Sequence, residues 1–203
     1  MNLMLPDDAY LTIAGPSEGV VREKMSRFLA FAWPATSAAE AKEVVARYQK
    51  EYHDARHVCW AYMVGPERKE FLSSDNGEPS GTAGKPILGQ INSLGLTDVV
   101  VVVVRYFGGI KLGTSGLIVA YREAAREALD AAEIVQRYQK VDISFTFPYI
   151  AMNSVMKLVK NGEVDIASQQ FDNTCSMTLS TRLSLSEQLR QRLADIDGVS
   201  LLP

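Results

Sequence analysis

The sequence has few of the residues that build metal and redox sites. Its 203 residues include only two histidines, His53 and His57, and two cysteines, Cys59 and Cys175. The cysteines lie far apart in the chain and form no CxxC motif, so we expect reduced thiols in a cytosolic protein. With so few strong metal ligands, we expect neither a metal ion nor a cofactor.

The chain also lacks an excess of basic residues and any long apolar run. Its 21 Lys and Arg against 24 Asp and Glu give a net charge of -3. Proteins that coat nucleic acid non-specifically are usually basic, so any such binding must come from a local patch. No stretch is as long as a membrane span, and the N-terminus has no secretory signal. These absences predict a cytoplasmic protein that does not bind a membrane.

The most distinctive stretch is Val99–Ala132. Six consecutive valines predict a strand covered on both faces. A glycine-rich turn follows, and then a helix that we expect Thr114 or Ser115 to cap. Glycines allow close backbone approach, and a helix N-terminus attracts anions, so the turn is a candidate anion site. The alternative is a tight turn that needs glycine only for its geometry.

A second long loop precedes this stretch, at Ser73–Pro86. It contains no apolar run, and long loops in compact domains are often functional. Its Gly84-Lys85-Pro86 sequence differs from a P-loop, which needs a glycine where Pro79 stands and Ser or Thr where Pro86 stands. We therefore do not expect a P-loop nucleotidase.

His57 and Cys59 are predicted to share one face of a strand, with His53 and Asp54 just before them. Such a pair could supply a nucleophile or metal ligands. The structural alternative, which we favour, is a buried cysteine beside a hydrogen-bonded histidine.

The two loops also hold several charged residues. If the loops meet, these residues form a polar cluster at the C-terminal end of the valine strand, where ligand crevices often lie in α/β sheets. The alternative is a surface network of weak salt bridges. No nucleophile–base pair is specified. The cluster consists of Asp75, Glu78, Lys85, Arg105 and Lys111.

The element pattern predicts an α+β protein of two domains. Lys24–Trp33 is predicted to be a strand, and the polar segment Arg137–Lys140 a linker. Beyond the linker the pattern is βαββαβ, the ferredoxin-like order. We place the N-terminal domain, of βαβ type, at residues 1–138 and the ferredoxin-like domain at residues 139–203.

Four segments together resemble the IMPACT family, bacterial YigZ-like branch. The longest are Asp75–Pro86 and Val104–Gly113, and the others are Lys24–Phe28 and His53–Tyr62. The resemblance implies a first domain like domain IV of elongation factor G and a second like its domain V. Eukaryotic relatives regulate translation through an extra N-terminal module, and we expect this protein to lack that module. The family supplies no catalytic residues to transfer to this sequence.

Our leading expectation is a non-enzymatic protein that binds RNA or a ribosome-associated partner through its first domain. Nucleic-acid contacts are expected from Lys24, Arg27, Arg56 and His57. The expected anion site comprises Asp75, Glu78, Thr82, Lys85, Arg105, Gly108, Gly109, Lys111, Gly113, Thr114, Ser115 and Gly116.

Two alternatives remain open. One is an enzyme or small-ligand protein that holds a nucleotide or another phosphate in the glycine turn. The other is a protein-interaction module without an anion site. A wide basic face favours nucleic acid, a closed pocket favours a small ligand, and an apolar patch favours a protein partner.

Overall fold

The computed structural model of this chain describes residues 6–172 and 174–203 and forms two compact units. The larger unit is Tyr10–Arg137, and the smaller one joins residues 6–9 to Tyr138–Pro203. Each unit has a hydrophobic core made of its own residues. No helix in the described parts of the chain is long and apolar enough to cross a membrane.

The first part of the chain, through the larger unit, alternates strands with three helices. In chain order the elements are β1 (Ala9–Ile13), β2 (Ser17–Glu23), β3 (Ser26–Pro34), α1 (Ala38–Glu51), β4 (His57–Val64), β5 (Glu70–Ser74), α2 (Gly84–Ser93), β6 (Val99–Tyr106), α3 (Gly113–Asp130) and β7 (Ile134–Tyr138). Strands β1 and β7 pair as a small separate sheet.

The main sheet has the strand order β2-β3-β6-β4-β5, and every pairing in it is antiparallel. Strands β3 and β4, which α1 connects, therefore run parallel to each other with β6 between them. This is a split βαβ unit and not one of adjacent parallel strands. The argument for a crevice at the end of a parallel sheet, made from the sequence, therefore does not apply. The valine strand is nevertheless central, because a run apolar on both faces fits any sheet that is covered on both sides.

The valines of β6 point alternately into two cores. Val99, Val101 and Val103 pack in the core that contains residues of α2 and α3. Val100, Val102 and Val104 pack on the other face, where α1 contributes residues. All six valines are fully buried. The helices thus cover the sheet on both faces, as the sequence predicts.

Two predicted boundaries in this part of the chain are wrong. The strand predicted at Lys24–Trp33 begins at Ser26, because Lys24 and Met25 form a turn with φ of 44° and 66°. Three of the four residues predicted as a linker, 137–140, lie in strands, since β7 runs to Tyr138 and a further strand begins at Lys140. Arg137 and Lys140 are exposed, whereas Tyr138 and Gln139 are half-buried.

The smaller unit continues with β8 (Lys140–Phe147), α4 (Met152–Asn161), β9 (Val164–Phe171), β10 (Cys175–Arg182), α5 (Ser186–Ala194) and β11 (Ser200–Leu201). Short 3₁₀ turns precede both helices. The sheet order is β11-β8-β10-β9, with antiparallel pairings throughout. This is the βαββαβ order expected from the sequence. Residues of α4 and α5 pack with the apolar faces of β8 and β10.

Asp8 ties the start of the described chain into the smaller unit. Its carboxylate accepts hydrogen bonds from Arg182 Nη2 at 2.9 Å and from the Ser184 hydroxyl at 2.6 Å. Its backbone carbonyl accepts from the Gln139 N–H at 2.7 Å. Residues 6–9 therefore belong to this unit by contact, although the sequence-based boundary assigns them to the first domain. Residues 1–5 of that predicted domain lie outside the described residues.

Candidate functional site

The two loops singled out in the sequence meet at one edge of the main sheet. Strand β6 ends there and β4 begins there, with Arg105 paired opposite His57 in the register. The loop after β5 and the N-terminus of α3 close around a cleft of about 480 Å³, which we call the β6–α3 cleft. It is lined by Arg56, His57, Gly77, Glu78, Pro79, Arg105, Phe107, Lys111, Leu112, Gly113, Thr114 and Leu117.

A buried ion pair lies at this cleft. Arg105 Nη1 donates to Glu78 Oε1 at 2.6 Å, and the side chains are only 7% and 3% exposed. The Tyr121 hydroxyl, on α3, donates to the same oxygen at 2.9 Å. The guanidinium also lies 5.5 Å from the ring centres of both Phe28 and Phe107. Glu78, Phe28 and Phe107 therefore surround the Arg105 guanidinium, and Tyr121 on α3 holds its carboxylate partner.

One hydrogen-bond donor of the Arg105 side chain makes no hydrogen bond to the described residues. Its Nε is buried and has no hydrogen-bond partner among the described residues. Buried polar groups are nearly always paired, so an unpaired buried donor requires an explanation. Nε is enclosed by protein atoms and does not open into the cleft, so it marks the tight packing around the pair of Arg105 with Glu78.

The His57 ring, which lines the cleft, is held by a backbone contact. Its Nδ1 lies 2.9 Å from the backbone oxygen of Asn76. A carbonyl oxygen can only accept, so Nδ1 carries the hydrogen in this bond. The other nitrogen, Nε2, lies 3.9 Å from Glu78 Oε1. The backbone contact thus fixes the orientation of the ring.

Cys59 is part of the core beneath this site. Its thiol lies 2.9 Å from the Asp75 backbone oxygen and 3.3 Å from the Tyr121 hydroxyl. Burial raises the pKa of Cys59 to about 12, so the thiol stays protonated near neutral pH. The same burial raises the pKa of Tyr121. Cys59 is therefore the buried cysteine that we favoured and not an activated nucleophile.

The N-terminus of α2 is filled by a carboxylate of the chain itself. Asp75 accepts from the backbone N–H groups of Gly81 at 2.7 Å, Ala83 at 3.0 Å and Gly84 at 2.8 Å. Burial raises the pKa of Asp75, but these three donors and the nearby charge of Lys85 outweigh it and leave the pKa below its ordinary value. Asp75 is thus a structural cap for α2.

The N-terminus of α3 begins differently. Its N-cap residue is Leu112, whose apolar side chain makes no capping hydrogen bond. The predicted capping by Thr114 or Ser115 is wrong, because the helix already starts at Gly113, whose φ is 74°. The two hydroxyl residues fall inside the first turn, past the capping position. The first N–H groups of α3, which border the cleft, therefore receive no cap from the N-cap position.

Seven of the residues expected to bind anions or nucleic acid line the cleft together. They are Arg56, His57, Glu78, Arg105, Lys111, Gly113 and Thr114. The structure thus brings the two loops into one site, although the grouping of these residues does not by itself test whether they bind a ligand.

The other expected residues lie elsewhere. Gly108 packs so closely on the β2–β3 turn that a Cβ would collide with the backbone of Met25, whereas Gly109 has open space around it. Ser115 and Gly116 line a separate cavity of about 320 Å³. The Thr82 hydroxyl donates to the Pro79 carbonyl at 2.7 Å.

The remaining basic residues lie outside the lining of the cleft. Lys24 is in the β2–β3 turn, and Arg27 at the start of β3 lies 5.3 Å from the ring centre of Tyr106. Lys85 is in the first turn of α2. Because Arg27 pairs with Tyr106 in the register, both lie at the same sheet edge as Arg105.

Sequence reasoning missed the residue that completes the buried network. Tyr121 is fully buried on the inner face of α3, together with Leu117 and Ala124. A buried tyrosine usually needs a partner for its hydroxyl, so its position on the apolar face was the available indication. The apolar lining residues Phe107 and Leu112 were also missed.

Comparison with known proteins identifies the family of this chain. Residues 24–129, which include every residue lining the cleft, match the Impact N-terminal domain. The chain belongs to the IMPACT family. It is 31% identical over 196 residues to the IMPACT family member YigZ of Escherichia coli, covering 96% of each protein. It is 32% identical over 185 residues to an IMPACT family member of Haemophilus influenzae, covering 89% of this chain and 90% of that one.

A solved structure described as a hypothetical protein has the same fold along the chain. It superposes with a TM-score of 0.78 at 29% identity and covers 97% of this chain and 98% of its own. Within the described residues, no group of three or more His, Cys, Asp or Glu side chains is arranged to hold a metal ion.

Proposed function

We propose that this IMPACT family protein binds single-stranded RNA by holding its phosphates in the β6–α3 cleft. The observation that carries the proposal is the grouping of Arg56, Arg105 and Lys111 with the first turn of α3 around one cleft. Free N–H groups at a helix start and an arginine are both preferred partners of phosphate oxygens. The proposal requires no cofactor.

Local charge supports binding despite the net charge of -3. Arg56 and Lys111 are exposed at the cleft, and Arg27 and Lys24 extend the basic character along the same sheet edge. The carboxylate of Asp75 is occupied by α2 and does not compete. A basic patch of this kind binds phosphates in a salt-dependent manner.

Aromatic and apolar side chains supply the second element of single-strand recognition. Phe107 lines the cleft and is 45% exposed, and Leu112 and Leu117 line it as well. Proteins that bind single strands combine cations for the backbone with aromatic faces on which bases stack. The family resemblance favours RNA of the translation machinery as the ligand, including RNA in ribosomal complexes.

A free nucleotide or another small phosphate compound is the second candidate ligand. The cleft volume of about 480 Å³ favours it, because small-molecule sites usually measure roughly 300–1,000 Å³. Binding of such a ligand does not imply catalysis. The buried, protonated Cys59 is not available as a nucleophile.

Fluorescence anisotropy with a short single-stranded RNA tests the proposal. Arg56→Met/Lys111→Met should weaken binding and reduce the slope of log K against log salt by roughly two, about one for each phosphate contact. The matched control is Lys42→Met/Lys50→Met, which removes two exposed lysines from α1. Equal affinity of the wild type and the cleft variant would reject the proposal.

A further inference from the structure

We infer that the smaller unit pairs with a second copy of this chain through the edge strand β9, Val164–Phe171. In this dimer the β9 strands of the two copies run antiparallel and join the two four-stranded sheets into one continuous sheet. Dimer formation is independent of RNA binding, because the β6–α3 cleft lies in the larger unit.

Strand β9 is a long sheet edge with little protection against further pairing. Strand β10 pairs with one of its edges, and the sheet order leaves its other edge without a strand among the described residues. All but the first of its eight residues are exposed. Its sequence contains no proline, and its one charged residue, Asp165, is paired with Lys140 of the same unit at 2.6 Å. Natural sheet edges usually carry more charge than this.

The other sheet edges in the described chain carry the usual protection. At the opposite edge of the same sheet, β11 has only two residues, and β1, β5 and β7 have five each. Strand β2 is longer, but three of its seven residues are charged: Glu18, Arg22 and Glu23. Short strands and charged side chains both disfavour pairing with another chain. β9 is therefore the edge at which a second chain is expected.

Apolar side chains of β9 are exposed beside this open edge. Ile166 is 40% exposed and Phe171 is 48% exposed. Both lie on the helix-covered face of the sheet, since they pair with the buried residues Leu179 and Cys175 of β10. Addition of a strand to the edge removes such side chains from water while its backbone satisfies the open N–H and C=O groups.

The faces of the β9 residues select one register for a pair of identical strands. The residues of the helix-covered face, opposite buried residues of β10, are Val164, Ile166, Gln169 and Phe171, and those of the outer face are Asp165, Ser168 and Gln170. The register with β10 shifts between Ile166 and Ser168, so the first and last residues of this eight-residue strand share a face. In a strand without such a shift they lie on opposite faces. A two-fold axis between Ala167 and Ser168 therefore pairs residues of the same face at both ends.

The same register pairs compatible side chains. Val164 lies opposite Phe171 of the second copy, so apolar side chains meet at both ends of the paired segment. Asp165 lies opposite Gln170 of the second copy. The Gln170 amide donates one hydrogen to Asp172 of its own chain at 2.6 Å and has a second hydrogen for the Asp165 carboxylate. With one charged residue in each β9, no two like charges face each other within the paired strands.

Sedimentation equilibrium of the full chain measures the dimer directly. An interface limited to one strand from each copy is small, so we expect a reversible dimer rather than a permanent one. The average mass should rise from that of one chain towards that of two as the concentration increases from the micromolar to the millimolar range. A wild type that stays monomeric throughout this range overturns the inference.

Charge variants test the register. Ile166→Lys/Gln169→Lys places lysines directly opposite each other twice in the dimer and should raise the dissociation constant at least about tenfold. Ile166→Glu/Gln169→Lys places opposite charges at the same positions and should retain the dimer. The matched control is Tyr149→Lys/Ile150→Lys, which adds two lysines at positions outside β9 that are 73% and 90% exposed and should leave the dissociation constant unchanged.

Cysteine crosslinking is the second measurement, in case circular dichroism shows that a charge variant does not fold. Ile166→Cys/Gln169→Cys places a cysteine opposite a cysteine of the second copy and should form a covalent dimer on mild oxidation. The exposed control Tyr149→Cys/Ile150→Cys should form one far more slowly. The two native cysteines are buried and do not interfere.

The remaining outcomes also decide the question. Equal dissociation constants of the wild type and Ile166→Lys/Gln169→Lys overturn the inference. It is overturned as well if Ile166→Glu/Gln169→Lys loses the dimer to the same extent, or if the β9 cysteine variant crosslinks no faster than its control. None of these results bears on the β6–α3 cleft, so RNA binding stands or falls by its own experiment.

Discussion

Arg105 Nη1 lies 2.6 Å from Glu78 Oε1, and this contact joins the end of the central strand to the loop that follows β5. Both side chains are buried, so neither charge is screened by water. The pair gives the cleft a fixed basic group, with its carboxylate partner also bound by the Tyr121 hydroxyl. The stability of the chain and the geometry of the cleft therefore depend on the same contact.

The first prediction concerns this buried pair. Glu78→Ala should lower the free energy of unfolding by about 3–5 kcal/mol, because removal of one partner leaves a buried, uncompensated charge. Glu78→Leu/Arg105→Met should cost less than Glu78→Ala, since it removes both charges. Urea denaturation followed by circular dichroism provides the measurement.

A surface ion pair provides the control. Glu67 and Lys69 form a pair whose side chains are 58% and 82% exposed. Glu67→Ala should change the free energy of unfolding by at most about 0.5 kcal/mol. If Glu78→Ala costs no more than Glu67→Ala, the pair of Glu78 with Arg105 is not buried as described.

The second prediction concerns thiol reactivity. Burial raises the pKa of Cys59 to about 12, and Cys175 is buried as well. Because only the thiolate reacts, neither cysteine of the folded protein should react rapidly with Ellman's reagent at about pH 8. Unfolding in guanidinium chloride should release both thiols. Rapid reaction of Cys59 in the folded state would instead make it a candidate nucleophile.

Much of the fold could be predicted because its strongest patterns are local. The alternation in β4 placed Cys59 and Ala61 on one face and Val58 and Tyr62 on the other, as they are in the two cores. Ser37 caps α1 by accepting from the Glu40 N–H, and these two residues have the sequence spacing of a capping box. These features depend on residues close together in sequence.

The missed features depend on tertiary context or on unusual backbone. No glycine marks the turn at Lys24 and Met25, although both residues have positive φ. The hydrogen bond of Tyr121 to Glu78 joins residues 43 positions apart, and no local pattern encodes that pairing. The sequence could therefore indicate which loops form the site, but not which side chains form its buried base.

The third prediction concerns domain independence. Residues 139–203 expressed alone should fold, because β8, β10, α4 and α5 share a core of their own. The fragment lacks Asp8, so Arg182 and Ser184 lose a partner and its stability should be lower than in the whole chain. NMR amide dispersion and cooperative urea unfolding are the measurements. Val155→Asp, which places a charge in that core, gives the unfolded reference spectrum.

A fragment without amide dispersion in its NMR spectrum or cooperative unfolding in urea would show that residues 139–203 need the rest of the chain in order to fold. The boundary after residue 138 would then not be a domain boundary.

The fourth prediction concerns pH. Hydrogen bonds from Arg182 and Ser184 hold the pKa of Asp8 well below its ordinary value of 3.8. A lowered pKa stabilises the folded state above the unfolded pKa, and this contribution disappears as pH falls through the folded pKa. Wild type should therefore be more stable than Asp8→Asn at about pH 7, and the difference should shrink as pH falls below 3.8.

Asp165→Asn is the control for this comparison, because Asp165 pairs with Lys140 at an exposed position of the same unit. It should change the urea midpoint little at either pH. A difference between wild type and Asp8→Asn that stays constant from about pH 7 to about pH 3 would contradict the account.

The most direct test of the central claim is an NMR titration of nitrogen-15-labelled protein with a short single-stranded RNA. The account predicts that the amide signals of Lys111, Gly113 and Thr114 shift together, with amides of α1 as the unaffected reference. Shifts confined to other parts of the protein, with these three amide signals unchanged at saturation, would contradict phosphate binding in the β6–α3 cleft.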